Sequence, residues 1–332
     1  MNKKIIYTML IALGVLLIIW VALRNIDSPT SKPESLVALD INFDIEKAAK
    51  IDVYKRDFPD SGLHFARIDT VWVVSNEHNA PAKKTDIEKL LTDLNAVSGQ
   101  IRGESVELYE DFDIADERAL QIEIFDSEGS KLAHIYIGKG GSGRESFLRL
   151  AGSPVVYLAN ENFISRFAAW NSPPEKKLPT DRWIELALCD IPRDKIKSIK
   201  IKKGRTEYDF VLTEEPSDDT LAPPAEVWTQ VSPEKGLKLE ENKIKRLHSS
   251  IAGVRASGVT DPENRDKFGL DKPDYTIRVA DAEGLSSLIK FSKPVNDNED
   301  RYAVVEGKNV VYIVPKGTFD RIFEDQFKKP DK

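Results

Sequence analysis

The chain has a single cysteine, Cys189, so no intramolecular disulfide can form and stability has to come from packed cores. Cys189 lies far from the N-terminus, which excludes it as the lipid-bearing cysteine of a lipoprotein. Histidine is almost as scarce. His64, His78, His134 and His248 are dispersed, without metal-ligand spacing, and with one thiol they compose no zinc site. Acid is absent from the first 24 residues, which carry Lys3, Lys4 and Arg24. The formal net charge is −7, so the remainder sits at −7 − 3 = −10, and a surface of that sign repels nucleic-acid phosphates. A G-x-S-x-G nucleophile elbow is lacking, and no two carboxylates stand out as a glycosidase pair. No catalytic residue, cofactor-binding residue or metal ligand is assigned from the sequence.

What the chain does have is one long apolar run. Ile5 to Leu23 is free of charge, and at about 1.5 Å per residue a helix of this length just spans a bilayer core. Ile5, Leu10, Leu16, Trp20 and Leu23 are the expected anchor residues, with Trp20 at the interfacial position. The lysines precede the run, so the N-terminus is expected in the cytoplasm and the rest outside the inner membrane. The run exceeds a usual signal-peptide core and no small-x-small site follows it, which favours an uncleaved anchor. Pro29, Pro33, Ser28 and Ser31 then mark a spacer.

The soluble part repeats itself. FDIADERALQIEIFDSEGSKL (112–132) matches FGLDKPDYTIRVADAEGLSSL (268–288), and SFLRLAGSPVVYLANENFISRF (146–167) matches RYAVVEGKNVVYIVPKGTFDRIF (301–323). Trp72 and Trp228, Phe112 and Phe268, Tyr157 and Tyr312, Phe163 and Phe319, and Phe167 and Phe323 keep one offset of about 156 residues. In each copy alternating strands come first: IDVYK, HFARI and VWVVS, then IKSIKI, EYDFVL and VWTQV. One helix follows, with Ile87, Leu90, Leu91, Leu94 and Val97 on one face in the first copy. Ile244, Leu247, Ile251 and Val254 repeat that stripe in the second. Thr85 and Glu88 form a capping-box pattern, and three or four further strands are expected to complete each unit.

The expected fold class is α+β: an N-terminal transmembrane helix, then two tandem repeats, each a mainly antiparallel sheet with one covering helix. The boundaries read 1–24 anchor, 25–45 spacer and lead-in, 46–168 first lobe, 169–193 linker, 194–327 second lobe and 328–332 tail. Within the linker a short helix is expected at Trp183–Leu188. The loop EEPSDDTLAPPAE (214–226) enlarges one hairpin of the second copy.

Three features invite chemistry. The glycine-rich GKGGSGRES (138–146) ends in Arg144-Glu145 where a phosphate loop needs Lys-Ser/Thr, and it falls between strands, so it reads as a hairpin loop. The acidic clusters Glu107, Glu110, Asp111, Asp113, Asp116, Glu117 and Asn296–Asp300 lack the EF-hand glycine and terminal glutamate. They read as solvated turns, with an irregular calcium site the alternative. The paired aromatics read as core rather than a sugar-binding stripe.

The N-terminal anchor, the duplicated unit with a W-x-V or W-T-x strand before a helix, the F-G-L-D-x-P turn (Phe268–Pro273) and the closing V-V-Y-x-V strand together resemble the bacterial domain-of-unknown-function family 4340. The first copy departs from the turn pattern, reading FDIADE. The resemblance implies an envelope accessory protein of an ABC-type export system, of the kind encoded beside gliding-motility-type transporter subunits. It implies as partners the membrane and envelope proteins, ABC permease and auxiliary subunits among them. Nucleic acid is not an expected partner, and no catalytic residue carries over. The expected function is a non-enzymatic, membrane-anchored interaction component. The alternatives are an envelope ligand- or glycan-binding module using a cleft between the lobes, and a membrane-tethered hydrolase.

Overall fold

The computed structural model describes residues 13–14, 36–39, 41–141, 143–170, 173, 175–215, 225–233, 235, 237–238 and 241–324. The expected anchor lies outside the described residues except for Leu13 and Gly14. Among the described residues no helix is long and apolar enough to cross a membrane.

The first lobe contains β1 (Val37–Ala38), β2 (Lys50–Lys55), β3 (Phe58–Ile68), β4 (Val71–Val74) and β5 (Ala80–Pro81). Helix α1 (Lys84–Asn95) follows, then β6 (Ser98–Gly103), β7 (Leu120–Phe125), β8 (Lys131–Gly140), β9 (Ser146–Leu150), β10 (Val156–Ala159) and the short helix α2 (Phe163–Arg166). Its strands form one sheet in the order β1-β6-β10-β9-β8-β7-β2-β3-β4-β5, antiparallel at every pairing.

The second lobe contains β11 (Ser198–Lys203), β12 (Thr206–Glu215), β13 (Ala225–Ser232), β14 (Leu237–Lys238), helix α3 (Glu241–Ala252), β15 (Gly258–Thr260), β16 (Tyr275–Ala280), β17 (Ser286–Pro294), β18 (Arg301–Val305), β19 (Val311–Val314) and helix α4 (Lys316–Phe323). The order β14-β13-β12-β11-β16-β17-β18-β19-β15 repeats that of the first lobe strand for strand, without a counterpart of β1 as a named strand. The duplication is thus one of topology as well as sequence. In each lobe the chain leaves one edge of the sheet, crosses as a helix and re-enters at the far side.

That crossing explains the apolar stripes. Ile87, Leu90, Leu91 and Leu94 of α1 are buried, as are Ile244, Leu247 and Ile251 of α3, because each helix lays this face on the sheet it crosses. Burying a leucine-sized side chain contributes about 1.5–3 kcal/mol, so each helix is held by packing rather than by intrinsic propensity. Two details differ from the sequence reading. Helix α1 begins at Lys84 with Lys83 as its N-cap and no side-chain cap, so Thr85 and Glu88 form no capping box. The reason is that the helix starts before Thr85: the Lys83 carbonyl accepts from Asp86 N at 3.0 Å and Ile87 N at 3.2 Å, and the Lys83 N–H donates to the Trp183 carbonyl at 2.7 Å. In addition, five strands rather than three or four follow the crossing helix in each lobe, and a second helix carries each Phe-x-x-x-Phe.

The segment expected as a linker is a structural member. No helix forms at Trp183–Leu188. Instead Ile184 bridges antiparallel to Ala82 of the first lobe, and Ala187 bridges antiparallel to Arg255 of the second. Glu185 N donates to Pro81 O at 2.7 Å, Leu188 N to Val254 O at 3.1 Å, and Ala256 N to Leu186 O at 2.9 Å. Backbone groups committed to two sheet edges are not free to bond to one another as a helix. Trp183 is buried edge-on against Phe65 and stacked on Phe167, each with centroids 5.3 Å apart. Trp183, Ile184, Leu186, Leu188 and Ile191 belong to a single hydrophobic core that runs through both lobes.

The same pairings redefine where the second repeat starts. Leu39 N donates to Val97 O at 3.1 Å as Leu188 N does to Val254 O. A three-residue 3-10 turn follows each, Ile45–Lys47 and Arg193–Lys195, and then β2 or β11. Residues from about Leu186 onward are therefore the lead-in of the second repeat, equivalent to Val37 onward in the first.

Candidate interaction sites

Most of the positions singled out in the sequence are explained by packing. Phe163, Phe167, Phe319, Phe323, Trp72 and Tyr312 are buried, as expected of core aromatics. Phe319 and Phe323 stack on each other and meet Tyr275 and Phe291 edge-on. Phe112 stacks on Phe147, and Phe268 packs on Tyr302. Cys189 is buried and its Sγ faces the Ile191 carbonyl; burial pushes its thiol up.

The glycine-rich stretch is a hairpin between β8 and β9. A side chain at Gly138 would collide with the Phe112 carbonyl oxygen at 2.0 Å, and Gly143 sits at φ +104°. Its Arg144 faces a cleft of about 460 Å³ with Arg166, Arg182 and Lys89, but Asp86, Asp93 and Glu161 line the same cleft. Asp93 is already paired with Arg166 at 2.7 Å and Lys89 at 2.9 Å. Charges so balanced give an anion little advantage over water.

The acidic clusters are tied up in similar ways. Arg118 reaches Glu110 at 3.3 Å and Asp113 at 3.2 Å, and Arg56 reaches Glu117 at 3.1 Å. Arg149, itself buried, pairs with Asp116, donates from Nε to Ile114 O at 2.8 Å and lies between the rings of Tyr109 and Tyr136. In the second cluster Asn296 Oδ1 accepts from Asp300 N at 3.0 Å and Lys316 pairs with Glu299. Among the described residues no three His, Cys, Asp or Glu side chains are grouped to hold a metal.

Two histidines do more than line a rim. His64 Nδ1 lies 2.8 Å from Asp52 Oδ1 and Nε2 2.9 Å from Pro59 O; the bond to Asp52 holds the imidazole above its ordinary value. His248 sits in α3 against the indole of Trp228, centroids 5.6 Å apart, with Nε2 buried and unpartnered. Burial pushes His248 below its ordinary value.

This second pair lines the feature that sequence reasoning missed. A groove of about 860 Å³ opens between the Arg193–Lys195 turn, β13 and α3, bounded by Arg193, Asp194, Trp228, Ile244, Lys245 and His248. Its volume is that of an ordinary ligand or side-chain pocket. The corresponding place in the first lobe is packed. Trp72 is 6% exposed and Leu91, which holds the position of His248 in the helical stripe, is 1% exposed. Ile45, at the position of Arg193, packs against the core. Trp228, by contrast, is only partly buried. The signal available in the sequence was the break in the stripe, histidine where the first copy has leucine.

A family model described as a domain of unknown function (DUF4340) matches residues 72–264 and, overlapping it, 228–329. The two matches begin at Trp72 and Trp228, equivalent points of the repeat. No curated protein and no solved structure matches the chain.

Proposed function

The chain belongs to the DUF4340 family, and from that premise we propose that it is a non-enzymatic envelope component, held at the inner membrane by Ile5–Leu23, that binds partner proteins of an ABC-type export system. The observation that carries this reading is the closed seam between the lobes. Trp183, Ile184, Leu186 and Leu188 fill it with apolar side chains in one continuous core, so the two sheets share their buried side and present their outer surfaces. The glycan-binding alternative calls for a ligand cleft between the lobes, where these apolar side chains pack. Tandem sheets joined through one core suit a spacer or docking part, since a pre-formed surface needs little ordering on binding.

The test is capture of the full-length protein from its native membrane after crosslinking. Recovery of ABC permease and auxiliary subunits is the expected result. A capture containing the protein alone, at crosslinker levels that link other known complexes, sinks the transporter reading.

A further inference from the structure

The two repeats provide an internal comparison of one site in two states, and the structure assigns to the lobe-two groove a binding role: it takes a branched aliphatic side chain followed by an acidic one, presented by a partner protein. The inference goes beyond association with a transporter, because it names where on the chain a partner binds and by what chemistry.

The argument starts from what fills the same place in the first lobe. There the 3-10 turn reads Asp44-Ile45-Glu46-Lys47, and Ile45, partly buried, packs against the core. In the second lobe the turn reads Pro192-Arg193-Asp194-Lys195, so the aliphatic plug is gone and a guanidinium stands at the mouth. Leu91 has become His248, smaller in apolar surface, and the indole of Trp228 has opened to solvent. An unfilled apolar floor over a conserved scaffold costs stability, because the lining atoms lose their contacts. The molecule therefore shows both the hole and the shape that fits it.

Charge decides what flanks the aliphatic group. Arg193 and Lys245 border the groove. Of the two acids there, Glu226 is paired with Lys197 at 2.7 Å, and the guanidinium of Arg193 stands where the first lobe has the plug isoleucine. An acidic residue next to the aliphatic anchor is favoured over a basic one on that rim. A partly buried aromatic floor with a charged rim is also the anatomy of an interface anchor pocket.

The test uses the full chain in lipid nanodiscs with 5-fluorotryptophan, the Trp228 resonance being assigned with Trp228→Phe. The probe is the acetylated, amidated tetrapeptide Asp-Ile-Glu-Lys, the first-lobe plug itself. Saturable movement of the Trp228 signal is expected. At least tenfold weaker binding is expected of peptides in which arginine replaces the isoleucine or lysine replaces the glutamate. The double variant Arg193→Ile/His248→Leu, which restores the first-lobe residues, is expected to remain folded with a higher Tm and to lose the response. No movement of Trp228, or equal movement in the double variant, overturns the assignment. So does binding that appears only after residues 217–223 are deleted, since the chain's own loop is then the occupant. Dimerisation of the full chain that the double variant abolishes would assign the groove to a second copy and overturn it equally. None of these readouts depends on a transporter, so failure here and failure of the capture experiment are distinguishable.

Discussion

Asp52 and His64 face one another across β2 and β3, 2.8 Å from Oδ1 to Nδ1, and the equivalent cross-strand pair in the second lobe is Lys200 and Asp209, 3.1 Å apart. The same rung of the sheet thus carries an ion pair in both copies with the signs of the two strands exchanged. Duplication kept the complementarity and let the residues drift, as expected where only the difference in sign matters energetically.

The first-lobe pair has a definite pH signature. Burial acts to raise the Asp52 carboxyl, but its bonds to His64 and Lys50 outweigh that and hold it below its ordinary value. His64 is raised. Its contribution is complete below the unfolded histidine value of about 6.5 and disappears as pH rises through the higher folded value. The Asp52 contribution is present above about 3.9 and is lost as pH falls through its depressed folded value. Asp52→Asn is expected to cost about 1–3 kcal/mol between those limits and less at pH 9. Denaturant melts at pH 5.5 and 9 check it, and an NMR titration should show His64 moving down in the variant.

His248 is expected to behave with the opposite sign. Its folded value lies below the unfolded one, so stability falls as pH drops through about 6.5 toward the folded value. Below that value no further loss accrues. His248→Leu removes this component, and a wild-type-minus-variant comparison of Tm between pH 7.5 and 5 should reveal it. A constant difference across that range would mean that burial does not disfavour the charged ring.

Trp183 is predicted to hold the two lobes in one cooperative unit. Trp183→Ala is expected to cost about 3–5 kcal/mol and to split a single calorimetric transition into two. Trp183→Phe is expected to cost under about 1.5 kcal/mol, because the buried indole nitrogen has no hydrogen-bond partner to lose. A single sharp transition in the alanine variant would show that the remaining strap contacts suffice.

Arg149 is buried between Tyr109 and Tyr136 and bonded to Ile114 O and Asp116. Lysine cannot reproduce a planar group that stacks and bonds at once, so Arg149→Lys is expected to destabilise by about 2 kcal/mol or more. Equilibrium denaturation gives the number directly.

The proposed anchor is checked by one charge. Leu16→Arg at the centre of the apolar run adds about 2.5–3.5 kcal/mol to insertion. The variant is expected to leave the carbonate-resistant membrane fraction, while Leu16→Phe stays in it.

Much of the fold was legible because it repeats. The helix stripes Ile87–Leu94 and Ile244–Ile251 and the alternating strands carried periodicity that burial alone imposes. The core roles of Phe163, Phe167 and their partners followed from needing the same packing twice. The Trp183–Leu188 strap was not legible, because the alternation of Ile184, Leu186 and Leu188 names no partner and only tertiary pairing at Ala82 and Arg255 fixes its place. The capping box at Thr85 failed because the helix already starts at Lys84, with Lys83 held at its entry by a bond to a residue a hundred positions away. The groove was hidden in a different sense. Arg193 and His248 look ordinary in sequence until superposition of the repeats sets them against Ile45 and Leu91.

The strap also bears on how this gene can change. A deletion that removed one of the two tandem repeats would leave a one-lobed product. Such a product would keep only half of the strap's pairing, leaving bare either the edge at Ala82 or the edge at Arg255, with apolar surface beside it. Open edges of that kind recruit other chains into aggregates. Since residues 183–188 serve both copies at once, the duplication is expected to be locked in, the two halves inherited together or lost together.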